Sequence, residues 1–452
     1  MRYLTPHAAR IAMALAALFL AACASSGPTT SRGPVIASPS EPEVDRRPDP
    51  GRQTDPRLNR ERENYNRREF IRPRHFDGED PVRVGLLLPF SVSSEGAQKI
   101  ASAMFDAAQL AAFDAGDDRF LIIPKDTRGT AEGAAVAARS ALRDGAEMLL
   151  GPLFSESVEA AANVARAANT PMIAFSSNLD VAGNGVYLLS FPPELEIERV
   201  TEFAVEQNLT RFGVLAPQNV YGDRVSSAFS EEVFVRGGTI VREERYVQEP
   251  DAMLEPAKRL ARYSQDIIPA ELRHGFDPND PQSAAVNDSG FTRGYQAVLM
   301  PEQGTLLRAL APLLPYYNVD INQVKLLGVS SWNNPRLTRE PALRGGWFAA
   351  PDPTITRNFE NRFANAFGAA PPRLASLAYD AALLSARLAR EDRRRRRFSD
   401  EAITDPNGYF GADGLFRLNP DGTIERGLAI LEIQPDGIKV IDDAPRSFTA
   451  GF

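Results

Sequence analysis

From Pro81 onward, short apolar runs alternate with stretches of helical period. Val82 to Leu88 (VRVGLLL) is almost continuously apolar, which predicts a parallel strand buried on both faces rather than a half-exposed one. Ala97 to Ala115 places Ile100, Met104, Ala108 and Ala111 on one stripe, and Gly116 suits a helix end. Phe120 to Ile123, Glu147 to Leu150 and Met172 to Phe175 read as further strands. Helices over Thr130 to Asp144 and Glu156 to Ala168 separate them. The alternation then repeats. Strands are expected at Phe212 to Ala216, Ile240 to Tyr246, Gln296 to Met300 and Val324 to Val329. Helices are expected at Arg224 to Arg236, Ala252 to Tyr263 and Gln303 to Tyr316. Two such units predict an α/β fold of two doubly wound parallel-sheet lobes with a cleft between them. Tyr263 to Gly294 is long and polar and reads as a surface insertion.

The chain before Pro81 has a different texture. Ala24 to Asp80 is rich in Pro, Ser, Arg, Asp and Asn, and its few large apolar residues cannot offset the entropy of ordering it. It reads as a tether, with a reach of roughly 190 Å at about 3.3 Å per residue when extended. Ahead of it, Ile11 to Ala22 is an apolar run too short to span a bilayer and of the right length for a signal-peptide core, with Arg2 and Arg10 as its basic flank. Leu20-Ala21-Ala22-Cys23 resembles a lipobox, so residues 1–22 are read as a lipoprotein signal peptide and Cys23 as the acylated residue. Several acyl chains anchor firmly, at roughly 0.8 kcal/mol per buried methylene. Ala24 after the cysteine resembles an outer-membrane address, facing the periplasm.

Composition narrows the chemistry. Cys23 is the only cysteine, so no disulfide framework or thiolate metal site is expected. The formal net charge of −8 argues against nucleic acid as a partner. Of the three histidines, His7 lies in the signal segment, His75 in the tether and His274 in the polar insertion. A Ser-His-Asp triad is therefore not expected, and neither a Gly-x-Ser-x-Gly elbow nor a Walker loop is present. The reading is of a non-enzymatic protein with no cofactor and no metal.

Several segments resemble type I periplasmic binding proteins, the branched-chain amino-acid receptor class. Val84 to Ser91 (VGLLLPFS) resembles the opening strand of that family, and Asp126-Thr127 before an Ala-rich helix its second strand and helix. Gly151 to Ser155 (GPLFS) and Pro171 to Asn178 (PMIAFSSN) resemble its two first-lobe ligand loops. Tyr221-Gly222 matches the opening of a second-lobe helix, and Gly411 to Ile433 the closing hairpin. The resemblance implies one domain over 81–445. Lobe one would take about 81–193 and 332–400, and lobe two about 194–331 and 401–445. Ligand-cleft candidates are then Ser155, Ser176, Ser177 and Asn178 on lobe one, with Tyr221 and Glu302 facing them. Hydroxyls and helix N-termini can hold a carboxylate, and Glu302 can oppose an ammonium group. The same serines and asparagine would also serve as helix caps.

Within that superfamily, the lipobox, the tether, Gly328 to Asn333 (GVSSWN) and Leu343 to Asp352 (LRGGWFAAPD) look most like the penicillin-binding protein activators. These are outer-membrane lipoproteins that stimulate a peptidoglycan synthase. The helical repeat domain of the better-known activators has no counterpart in Ala24 to Asp80. The leading expectation is thus a synthase activator anchored through its lipid. The alternative is a lipid-anchored receptor for an amino-acid-like solute, which requires a deep cleft lined by convergent polar groups. The run Arg393, Arg394, Arg395, Arg396 and Arg397 is the candidate docking patch for an anionic surface. A solvated helix end is the plainer reading of the same residues.

Overall fold

The structure is a computed structural model and describes residues 81–117, 119–263, 279, 294–391 and 397–448. In chain order its strands are β1 (Val82–Leu88), β2 (Phe120–Asp126), β3 (Met148–Leu150), β4 (Met172–Ala174), β5 (Val186–Leu188), β6 (Arg211–Pro217), β7 (Thr239–Tyr246) and β8 (Ala297–Leu299). They continue with β9 (Lys325–Gly328), β10 (Trp347–Ala350), β11 (Tyr409–Gly411), β12 (Gly414–Leu418), β13 (Ile424–Arg426), β14 (Ala429–Gln434) and β15 (Gly437–Asp442).

The first lobe is built on a sheet of order β2-β1-β3-β4-β5, parallel throughout. Val84, Leu86 and Leu88 of β1 face one core, with Met104 and Ala108 of the Glu95–Ala115 helix. Leu87 faces the other, with Ala134 and Ala161 of the helices Ala131–Arg143 and Ser155–Ala167. Burial on both sides is why β1 carries no polar alternation. The second lobe has the order β15-β14-β10-β9-β8-β6-β7. It is parallel from β10 to β7, while β14 and β15 add an antiparallel hairpin at one edge. The expected α/β fold with two parallel sheets is therefore present.

The later two chain crossings fall further along than the sequence suggested. Trp347 and Phe348 of β10 pair in parallel with β9, so the chain stays in the second sheet to Ala350 instead of leaving at Trp332. Trp332 itself is fully buried in the second core. It lies over Gly328, where any Cβ would overlap its indole. Return to the first lobe comes with the helices Pro353–Phe367 and Ala375–Ala389, whose Phe359, Phe363, Ala378 and Ala382 complete the core above β1 and β3. The small antiparallel sheet β11-β12-β13 also belongs there, because Phe416, Leu418 and Ile424 enter the same core. The second lobe resumes at Leu428, not at 401. The expected helix over Gln303 to Tyr316 is two, Gly304–Leu310 and Leu313–Tyr316, with Pro312 at the break. The insertion read over Tyr263 to Gly294 lies almost wholly outside the described residues. Among the described residues, no helix is long and apolar enough to cross a membrane.

Candidate functional site

The second lobe opens with the helix Pro193–Glu206. Proline at its first turn gives up only an N–H that would be unpaired, and Glu194 and Glu196 sit where the helix dipole favours acids. Glu196 turns inward and is buried. Its carboxylate accepts the backbone N–H of Ser330 at 2.8 Å and the Ser330 hydroxyl at 2.6 Å. Ser330 lies just past the end of β9. Burial outweighs these bonds and pushes the Glu196 carboxyl up to about 7.

A second buried acid follows β8. Glu302 Oε2 accepts the Tyr246 hydroxyl at 2.8 Å and Gln248 Nε2 at 3.0 Å, and Oε1 accepts the Gln303 N–H at 3.0 Å. Its backbone carbonyl accepts the Trp332 indole N–H at 3.1 Å. Burial, and then the Glu302 charge, push the Tyr246 phenol far above its ordinary value.

Glu196 and Glu302 line a cavity of about 340 Å³ between the lobes. Tyr221 and Arg224 of the helix Val220–Val235 line it as well. Asn219 caps that helix by accepting the Gly222 N–H at 2.8 Å. A Cβ at Gly222 would overlap the carbonyl oxygen of Pro217, so glycine lets the helix start hard against the end of β6 and sets Tyr221 at the cavity. The Tyr221 phenol is raised by burial, then by Glu196 and Glu302. Arg224 grips Glu194 through two bonds of 2.9 and 3.0 Å and reaches across the cleft to the Ser177 carbonyl at 3.3 Å. From the first lobe, Arg373 stands over the Phe191 ring at 3.5 Å and pairs with buried Asp413 at 2.8 Å. Ser331 also lines the cavity, and its hydroxyl is buried with no hydrogen-bond partner among the described residues.

Of the residues read from sequence, Ser177, Tyr221 and Glu302 meet at this cavity. Ser155, Ser176 and Asn178 are bonded to each other instead. The Ser155 and Ser176 hydroxyls are 3.0 Å apart, and Ser176 Oγ accepts the Asn178 N–H at 3.1 Å. Asn178 Oδ1 in turn caps a short turn through the Asp180 N–H at 3.2 Å. These three shape the loop that carries Ser177. Cys23 and Arg393 to Arg396 lie outside the described residues. Arg397 does not point outward as a docking residue would. It is buried, paired with Glu147 at 3.0 Å and donating to the Glu391 carbonyl at 3.0 Å. An acid waiting just before β3 draws the last arginine of the run into the fold. The sequence reading missed Glu196, Ser330, Arg224 and Arg373. Glu196 had a faint signal, as a second acid in a proline-led first turn. Arg373 had none, because its partner Asp413 is forty residues away.

A family model described as periplasmic binding protein matches residues 81–261. No curated protein matches the chain in sequence. Among solved structures, a putative branched-chain amino acid ABC transporter from Rhodospirillum rubrum is 17% identical, with a TM-score of 0.65 over 80% of this chain and 100% of that one. A leucine binding protein from Thermotoga maritima is 16% identical, with a TM-score of 0.51 over 80% and 98%. A solute binding protein of an ABC transporter from Rhodopseudomonas palustris, in complex with 3,4-dihydroxy benzoic acid, is 16% identical, with a TM-score of 0.53 over 81% and 99%. The fold is that of type I periplasmic binding protein structures.

Proposed function

We propose that this chain is a non-enzymatic, lipid-anchored solute-binding protein. Its two lobes hold a small amino-acid-like solute, and acyl chains on Cys23 keep it at the outer membrane, facing the periplasm. The observation that carries this reading is the interlobe cavity of about 340 Å³ with polar and charged walls from both lobes. Small-molecule sites run from roughly 300 to 1,000 Å³, so a small solute fits. Glu196 and Glu302 supply negative charge for an ammonium group. Ser177, Ser331 and the two arginines supply donors for a carboxylate. The similar structures hold both aromatic acids and an amino acid. A substrate-binding protein from Desulfitobacterium hafniense, 15% identical, is complexed with Leu.

A second reading, stimulation of a peptidoglycan synthase, is favoured by one surface feature. Phe234 and Val235, side by side at the end of a second-lobe helix, are 81% and 70% exposed. A protein partner would cover such a pair. Of the segments that suggested this reading, Gly328 to Asn333 and Leu343 to Asp352 bury Trp332, Leu343 and Phe348 in the second core.

Thermal shift of the full-length chain in detergent against a panel of amino acids and aromatic acids tests the first reading. Saturable stabilisation by one of them supports it. No stabilisation by any, together with recovery of a peptidoglycan synthase when the acylated chain is used as bait in solubilised envelope, moves the conclusion to the second.

A further inference from the structure

We infer that the cleft selects a small solute carrying two cationic nitrogen groups, a diamine or a dibasic amino acid, through Glu196 and Glu302 together. This rests on the solute-binding reading and names the ligand class within it.

The charges at the cavity set this choice. Arg224 is engaged by Glu194, and Arg373 by Asp413. Those pairs cancel. Glu196 and Glu302 remain, and among the described residues neither is in an ion pair. Both bonds to Glu196 come from Ser330. Those to Glu302 come from Tyr246, Gln248 and the Gln303 N–H. Neutral donors solvate a carboxylate but bring no counter-charge. A buried charge without a counter-charge is costly, and a cation entering the site relieves that cost. A solute with one ammonium group and one carboxylate brings no net charge to two acids. A solute with two cationic groups answers both.

The two acids would act differently. Each oxygen of Glu196 accepts one bond and keeps a further lone pair, so it can take a direct hydrogen bond from an ammonium group. Glu302 already accepts three bonds of 3.0 Å or less, so it acts chiefly through its field. The adjacent Ser331 hydroxyl, buried and unpartnered among the described residues, offers one more acceptor to the same solute.

Isothermal titration of the full-length chain with L-lysine, a four-carbon diamine and L-leucine tests this, alongside Glu196→Gln. The expected result is that lysine or the diamine binds at least about tenfold tighter than leucine, the step of 1.4 kcal/mol, and that Glu196→Gln narrows the ratio while the variant's melting temperature shows it folded. Leucine binding as tightly as the dications would overturn the inference and leave the solute-binding reading standing. Tight dication binding with an unchanged ratio in Glu196→Gln would overturn the role of Glu196. Heat from none of the three would overturn the inference, and an equally silent amino-acid and aromatic-acid panel would overturn the solute-binding reading with it.

Discussion

Ser330 gives both its backbone N–H and its hydroxyl to the one carboxylate of Glu196, at 2.8 and 2.6 Å, across 134 positions of sequence. The contact ties the end of β9 to the helix that opens the second lobe. Replacing Ser330 with Ala removes one donor from a buried acid. A hydrogen bond to a charged group contributes about 1.5–3 kcal/mol, so Ser330→Ala is expected to lose about 2 kcal/mol of unfolding free energy at pH 8. The loss shrinks at pH 5, where Glu196, raised to about 7, is protonated in the folded state. Urea unfolding at the two pH values measures both. An equal loss at each would show that Glu196 does not titrate in that interval.

Glu196 also sets a pH dependence on ligand binding. A carboxyl raised to about 7 is charged at pH 8 and neutral at pH 5. A cationic solute binds the charged form, so its affinity is expected to fall as pH drops, by about tenfold per unit below 7. Titration calorimetry of L-lysine at pH 8, 7 and 6 reads the slope. Glu196→Gln should bind more weakly at pH 8 and show little slope. A wild-type affinity that stays flat across this range would remove Glu196 from the binding step.

Asp380 is a second acid raised by burial. It is buried beneath β11, accepts the Ala412 N–H at 2.6 Å, and leaves Gly411 no room for a Cβ. Burial first, and then neighbouring Asp413, hold its carboxyl well above the usual carboxylate range, against the pull of Arg426 and Arg373. The folded state therefore keeps a proton that the unfolded state releases near pH 4. Stability from this group is present at low pH and is lost as pH rises through the folded value, at up to about 1.4 kcal/mol per unit. Asp380→Asn keeps an acceptor for the Ala412 N–H and removes the proton. The expected outcome is a flatter dependence of the urea midpoint between pH 5 and 8 in the variant. Parallel curves for the two proteins would place Asp380 outside the titration.

The first lobe was legible because β1, β3 and β4 are short apolar runs with no alternation, and its helices Glu95–Ala115, Ala131–Arg143 and Ser155–Ala167 repeat alanine at helical spacing. β1 and the helices Ala131–Arg143 and Ser155–Ala167 follow from those patterns alone. The later two crossings were not legible. Trp347 to Ala350 is as apolar as any crossing residue buried between lobes, and only its pairing with β9 and β14 shows it to be a strand. The site divides in the same way. Tyr221 could be read from the resemblance of Tyr221-Gly222 to the opening of a second-lobe helix, and Glu302 from that same resemblance together with its place after a strand end. Arg373 and Ser330 reach the cavity through partners far away in sequence, and no local pattern carries that.

Arg397 separates a structural role from a docking one. Its guanidinium pairs with Glu147 at 3.0 Å, and both side chains are about one-tenth exposed. Removing one partner of a buried pair costs about 3–5 kcal/mol when the other is left bare, and Glu147 keeps a further contact that holds the cost down. Arg397→Gln is expected to lower the unfolding free energy at the bottom of that range, since some solvent reaches the pair. Replacing Arg393 to Arg396 with Gln tests the docking proposal that remains for the rest of the run. There the expected outcome is weaker binding to an anionic partner surface and a flatter salt dependence, because screened attraction is what those charges would supply. Binding that is unchanged in the four-residue variant would end the docking proposal. An unchanged urea midpoint in Arg397→Gln would show that the pair with Glu147 contributes nothing to holding the end of the run against the first lobe.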